Sequence, residues 1–359
     1  MINYYTIHEW LAHFVDRNGK RIRWALRRYR MRKGVKQYLQ KPYQLTKEQK
    51  KEAKQFWKKY TRHFSPVFHE LYLQKTGKFD PKYVPDDIMF CEIEDYLDDW
   101  GSSRGMDNKC NYELYFPEVK QPKTLYRKMK GVYHDAAWNI ISEEDAVRMC
   151  MDNGAAVIKA SQEVGYGGGV KIWDAKTDTE DDLKEIIRTI PGDVIAQDLI
   201  VEHPELKKLN TKSVSCIRVL SIIRKDKVEY LRGYFRMGQG EGKVDYADGC
   251  VASLYPDGQL YEVGFDNNTC NPVKQHENGM VFKDYKVPCY EAVRQKALEL
   301  HKKLGDFRIV SWDFSVDPEG DPVLIEVNML YGGIMYHQLG SGPIFGDKTE
   351  EILAEVFGK

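Results

Sequence analysis

Between residues 308 and 328 the chain reads RIVSWDFSVDPEGDPVLIEVN, and here acidic residues fall inside apolar, strand-forming runs instead of in loops. Runs rich in β-branched and aromatic residues, 309–316 and 323–327, flank Pro318-Glu319-Gly320-Asp321, a turn-forming cluster, so the stretch reads as a β-hairpin. With the turn centred on Glu319 and Gly320, Asp313 stands opposite Glu326. Side chains alternate along a strand, which puts Asn328 on the face of Glu326 and therefore of Asp313. Three oxygen donors converge there. Opposed carboxylates on a half-buried sheet repel unless a cation lies between them, and two carboxylates with an amide carbonyl suit Mg²⁺ holding a polyphosphate. The alternative is a hairpin with two solvated acids on its open face. Against it stand the interleaved Val310, Trp312, Val316, Leu324, Ile325 and Val327.

With 359 residues, 42% of them hydrophobic and 12% aromatic, the chain has room for two or three subdomains around a sizeable core. It contains no apolar run of membrane-spanning length. Its first residues, MINYYTIHEWLAHFVD, lack the cationic start and unbroken apolar core of a secretory signal, so a cytoplasmic location is expected. Seven cysteines without a C-x-x-C pair read as reduced core thiols.

The formal charge is zero, but it is unevenly spread: residues 17–62 hold eighteen Lys or Arg against two Glu. Helical spacing of Ile7, Trp10, Leu11, Phe14 and Val15 runs into KRIRWALRRYRMRKGVK, giving a basic, mainly helical arm over 1–62. Such an arm can lie on the inner face of an anionic membrane through residues 1–35. Equally, its charges can be solvated or meet the acidic remainder of the chain. Nucleic-acid binding is not expected, because no recognition module accompanies the charge.

Further along, residues 46–73 read as helical, and 124–130 as a short strand. Ser142 caps a helix that Asn153-Gly154 closes. AAVIKAS follows as a strand carrying Lys159; then come Gly165-Tyr166-Gly167-Gly168-Gly169 and a second strand, KIWDA. A lone Lys in a strand is usually an edge residue facing water. Strand, glycine turn and strand can instead form a flap whose amides close over phosphates while the Lys neutralises them. A helix over 180–190 leads to a strand over 193–201. There Gln197, Asp198, Leu199 and Ile200 can offer backbone groups to an adenine edge, or the strand is simply central. Hairpins follow about Lys225-Asp226 and about Pro256-Asp257-Gly258. Within the first, Arg218 and Arg236 lie in apolar sequence, as partners of a carboxylate or of a bound anion. After Asn328, a glycine-rich return loop containing Gly332 and Gly333 is placed to hold a co-substrate.

The flap lysine, the strand 196–200, and an Asp with Glu thirteen residues on and Asn two beyond occur in the order of the ATP-grasp superfamily. IAQDLIVEHPELKKLN, SVSCIRVLS and VSWDFSVDPEGDPVLIEVN resemble its sugar-transfer associated branch, over roughly residues 60–355. The resemblance implies a mixed α/β (α+β) fold with ATP held between two α+β subdomains. Its implied parts are a pre-grasp region at 63–130, a small lid subdomain at 131–200 and a large subdomain at 201–359. It further implies phosphate contacts from Lys159, Lys109 and the flap glycines, an adenine hinge at 197–200, Leu324 in the nucleotide pocket, and Asp313, Glu326 and Asn328 as magnesium ligands.

The expected chemistry is ligation of a carboxylate to an amine through an acylphosphate, assisted by Lys159 and Arg218. By resemblance the substrates are small acids and amines, with a glycan precursor among them. A hydroxyl-phosphorylating kinase and a non-enzymatic nucleotide-binding scaffold are the rivals. Oligomeric state is left open.

Overall fold

Capping and turn residues set most element boundaries. The structure, a computed structural model, describes residues 4–162, 169–210, 212–242 and 249–358, with side chains from residue 19 on. It divides into two units: residues 1–96 with 342–359, and residues 97–341.

In the first unit, α1 (Tyr4–Val35), α2 (Lys47–Lys58) and α3 (Val67–Thr76) join the C-terminal helix Thr349–Phe357. Thr46 starts α2 with a reciprocal capping box, its hydroxyl accepting from Gln49 N–H and the Gln49 side chain accepting from Thr46 N–H. The single helix expected over 46–73 is two helices: α2 ends at Lys58, and Pro66 stands at the N-cap position of α3. Trp57, Leu71, Tyr72, Val84, Ile88 and Ile93 are fully buried, and Tyr72 stacks on Tyr83 at 4.4 Å. Arg28 pairs with Glu92 at 3.0 Å and Arg32 with Asp87 at 2.5 Å, so part of the basic arm does meet acids.

The second unit carries two antiparallel sheets. The smaller comprises β1 (Thr124–Met129), β2 (Val132–Asp135), β3 (Ile140–Ile141), β4 (Ala155–Ala160), β5 (Val170–Asp174) and β6 (Val194–Gln197), in the order β3-β2-β1-β6-β4-β5. Helices α4 (Glu143–Asn153) and α5 (Glu180–Thr189) contribute Ala146, Val147, Leu183 and Ile187 to its core. Gly154 ends α4 at φ 80°, where a side chain would be strained.

The larger sheet comprises β7 (Cys216–Arg224), β8 (Lys227–Gly238), β9 (Gly249–Leu254), β10 (Leu260–Asp266), β11 (Pro272–Val273), β12 (Ile309–Val316) and β13 (Pro322–Asn328). Its order is β11-β10-β9-β8-β7-β12-β13. Between β11 and β12 runs α6 (Tyr290–His301), whose Val293, Ala297 and Leu300 pack into the core beneath the sheet.

Three expectations are corrected. Residues 342–359 belong with the first unit, where Phe357 meets the Tyr60 ring at 6.0 Å and Glu350 pairs with Lys82 at 2.9 Å. The division expected at 130/131 falls inside the β1–β2 turn, so the small sheet cannot be cut there. The strand expected over 193–201 stops at Gln197.

The hairpin register matches the expectation, by a different route. Val316 pairs with Pro322, so the turn is centred on Glu319 alone; Ser315 then faces Val323 and Phe314 faces Leu324. A β-bulge at Ile325 shifts the pairing by one, and beyond it Asp313 faces Glu326, Trp312 faces Val327 and Ser311 faces Asn328.

Candidate nucleotide and metal site

One transverse row of partners crosses the large sheet: Ser253 on β9, Tyr234 on β8, Arg218 on β7, Asp313 on β12 and Glu326 on β13. Alternation puts the row on one face, while Ile217, Val219, Trp312, Phe314, Leu324 and Val327 fill the core on the other. The bulge decides this for Leu324. In a regular strand it would share the face of Glu326; here it is 1% exposed in the core, which removes it from the nucleotide pocket. Tyr112 braces the strand just past the bulge, its hydroxyl donating to Val327 O at 3.1 Å and accepting from Val327 N–H at 3.2 Å.

Arg218 grips Asp313 from both prongs, Nε to Oδ1 at 2.5 Å and Nη2 to Oδ2 at 2.5 Å, and Nη1 donates to Gly332 O at 3.1 Å. Arg236, two residues beyond Tyr234 on the same face, lies 3.9 Å from Asp313. Burial raises the Asp313 pKa, but the Arg218 charge outweighs it and holds the carboxyl below its ordinary value. Lys109 Nζ lies 2.6 Å from Glu326 Oε1. Burial again opposes ionisation of Glu326; Lys109 and then Lys159 overcome it, and the carboxyl stays below its usual range.

Lys109 opens a short 3₁₀ turn that Asn108 caps by accepting from Cys110 N–H at 3.0 Å. The Lys109 N–H donates to Ser161 O at 2.8 Å, which ties this turn to the end of β4. Lys159 sits inside β4 between Ile195 and Val170, so it is no edge residue. Burial, reinforced by the Lys109 charge, lowers its pKa to about 8.

The expected repulsion between Asp313 and Glu326 is thus already offset by arginines on one and lysines on the other. A metal fits for a different reason, the chemistry of the donors. Two carboxylates and Asn328 share a face, and the buried Asn328 Nδ2 has no hydrogen-bond partner among the described residues, so the amide can turn its oxygen outward. Among the described residues no group of three His, Cys, Asp or Glu gathers as a metal site, and here the third donor is the amide of Asn328.

The return loop closes over the row. A Cβ on Gly332 would overlap Ser311 Oγ and lie 2.9 Å from Ser311 Cβ, so only glycine lets the loop approach this closely. Gly333, at φ 72°, lies beside Arg218 Nη1. What reads as loop continues into α7 (Met335–Ser341), which brings His337 against Tyr234 at 4.6 Å between ring centres. His337 is fully buried, and neither ring nitrogen has a hydrogen-bond partner among the described residues. Burial, then the Arg218 and Arg232 charges, hold its pKa well below the ordinary value, so the ring is neutral. No local pattern marks His337, Tyr234 or Ser253 in the sequence; strand register brings Tyr234 and Ser253 to the row, and α7 brings His337.

At the expected hinge, Gln197 is buried and its Nε2 donates to Pro122 O at 3.1 Å. Asp198 N–H donates to Lys123 O at 2.8 Å, and Leu199 N–H to Asp198 Oδ1 at 2.8 Å, so these two amides are already used. Ile200 follows in irregular chain. Gly169 O accepts from Ala160 N–H at 2.9 Å where the flap returns to β5; Gly167 and Gly168 lie outside the described residues. Among the described residues no cysteine is in a disulfide; six are buried, and Cys289 is exposed, contrary to its expected core position.

The sequence model of the family described as sugar-transfer associated ATP-grasp matches residues 118–352. Among solved structures, the chain is similar to the VanG D-Ala:D-Ser ligase of Enterococcus faecalis, at 14% identity over 73% of this chain and 64% of that one, TM-score 0.44. It is similar also to the D-alanine–D-alanine ligase of Bacillus anthracis with ATP (15% identity, 70% and 63% covered, TM-score 0.37) and to the L-amino acid ligase of Bacillus licheniformis (14%, 64% and 42%, TM-score 0.36). The chain spans less than two thirds of the length of each of these three. No curated protein matches it in sequence. The family match covers well over half of the chain and takes in Lys159, Arg218, Asp313, Glu326 and Asn328, with Lys109 just ahead of it: the chain has the ATP-grasp fold and belongs to the sugar-transfer associated ATP-grasp family.

Proposed function

We propose that the protein is an ATP- and Mg²⁺-dependent ligase that joins a carboxylate to an amine, acting on a precursor of a cell-surface glycan. The observation that carries this reading is the meeting of Lys109 and Lys159 at Glu326, one row position from an Asp313 gripped by Arg218. Asp313, Glu326 and Asn328 would hold Mg²⁺, which when bound supplies charge neutralisation along the triphosphate. Lys159 and Lys109, with Gly167, Gly168 and Gly169 of the flap, would take the phosphates, and the stretch from Gln197 to Ile200 the adenine.

Arg236, whose reach to Asp313 is longer than that of Arg218, is the better placed of the two to hold the acid substrate. An oxygen of that acid attacks the γ-phosphorus, the bond to the β-bridging oxygen breaks, and ADP leaves. The amine then attacks the acyl carbon, phosphate departs, and the nitrogen gives up a proton. Gly332 and Gly333 would line the acceptor side, and solvent takes that proton. Incubation with Mg-ATP and a panel of acids and amines tests the reading: one pair should release ADP and phosphate and gain the mass of an amide. A stable phosphorylated product without amide would replace the ligase by a kinase. Nucleotide binding without turnover on any pair would leave a scaffold.

A further inference from the structure

The first unit holds a groove of about 830 Å³ bordered by α1 and the segment at Arg62-His63. Six cations line it: Arg21, Arg28, Arg32, Lys33, Lys36 and Arg62. Arg28 and Arg32 are paired with Glu92 and Asp87, whereas Arg21, Lys33, Lys36 and Arg62 have no carboxylate partner among the described residues. A groove with four uncompensated cations attracts phosphate-bearing anions.

Beside it, α1 presents apolar side chains to water. Ile22, Leu26 and Tyr29 are 61%, 53% and 65% exposed, at helical spacings of four and three that place them in one stripe. Tyr29 belongs both to this stripe and to the groove wall. Exposed Arg23 and Arg30 border the stripe on its other side. Free phosphate or RNA would gain nothing from Ile22 and Leu26. An anionic bilayer engages both halves, headgroups in the groove and the stripe at the acyl boundary.

We infer that residues 20–36 with Arg62 form a docking site for an anionic phospholipid membrane, the groove taking headgroup phosphates and Ile22, Leu26 and Tyr29 seating in the interface. This inference is independent of the ligase reading, and its test needs no substrate.

Point variants of the exposed face are preferable to deletion of the arm, because removing Arg32 would strand the buried Asp87. The full chain is pelleted with vesicles of phosphatidylglycerol and phosphatidylcholine in equal parts, and with phosphatidylcholine alone. Association is expected only with the mixed vesicles. It should weaken about tenfold or more in Arg21→Glu/Lys33→Glu, and comparably in Ile22→Ser/Leu26→Ser/Tyr29→Ser, with unfolding midpoints unchanged. Should either variant lose stability, Arg23→Glu/Arg30→Glu on the far border serves instead. Equal pelleting with both vesicles, or pelleting indifferent to the variants, overturns the proposal. So does binding of inorganic pyrophosphate or an RNA oligonucleotide that depends on Arg21 and Lys33 while vesicles fail to pellet the protein.

Discussion

Arg218 holds Asp313 in a two-pronged grip across neighbouring strands, both contacts at 2.5 Å and both side chains largely buried. Removing one partner leaves the other charged and desolvated, so Arg218→Ala is expected to cost roughly 3–5 kcal/mol of stability. Replacing both by apolar residues should cost less than the two single changes combined. Urea denaturation of the two single variants and the double variant checks this; additive losses would show that the pair is not a unit.

Leu324 and Glu326, two positions apart, should fail in opposite ways. Leu324→Ala opens a core cavity and is expected to cost about 2–5 kcal/mol while leaving nucleotide affinity unchanged. Glu326→Gln keeps the shape of the side chain and should abolish Mg²⁺-dependent ATP turnover, with a loss of stability that comes from removing the charge facing the buried Lys109 rather than from a cavity. Denaturation midpoints and ADP release, measured side by side, separate the two. Loss of nucleotide affinity in the folded Leu324 variant would return that residue to the pocket.

Lys159 gives the site a pH limit. With a pKa of about 8 it is charged at neutral pH and loses its proton as the pH rises through that value. A triphosphate binds the protonated form, so the apparent Kd for Mg-ATP should climb by about fivefold between pH 8 and pH 9. Lys159→Arg, charged throughout, should flatten the profile. Calorimetric titration at several pH values decides, and a flat wild-type curve would remove Lys159 from the phosphates.

At the acid end His301 matters for folding. Burial holds its pKa at about 4 although Phe307 O accepts a hydrogen bond from the ring. Unfolded, the ring takes a proton near its ordinary 6.5; folded, it does not do so until about 4. The stability tied to its neutral form is complete above 6.5 and falls away as the pH drops toward 4. In His301→Gln the loss of stability between pH 7 and pH 5 should be smaller than in the wild type. An unchanged slope in urea midpoints would contradict this.

Strand patterning and turn chemistry made the hairpin, the cap at Ser142, and the facing of Asp313 and Glu326 legible from the sequence. Yet that facing rests on two departures that cancel, a turn centred on Glu319 alone, which moves the pairing by one, and a bulge at Ile325 that moves it back. Neither has a local signature, and Leu324 was misplaced for the same reason. Lys109 could be tied to Glu326 only through a contact spanning the two sheets. His337 and Tyr234 needed the register of β7 to β9 and a helix within apparent loop. Such long-range pairing is set by packing, which no window of sequence contains.

The gathering of charge around the row has one more consequence. Arg218, Arg236, Lys109 and Lys159 set four positive groups against Asp313 and Glu326, leaving an excess of two. A nucleotide triphosphate already carrying one divalent ion has a charge of about −2, the complement of that excess. A bare divalent ion approaching the same oxygens would meet net repulsion, so on the proposed reading metal and nucleotide should enter together.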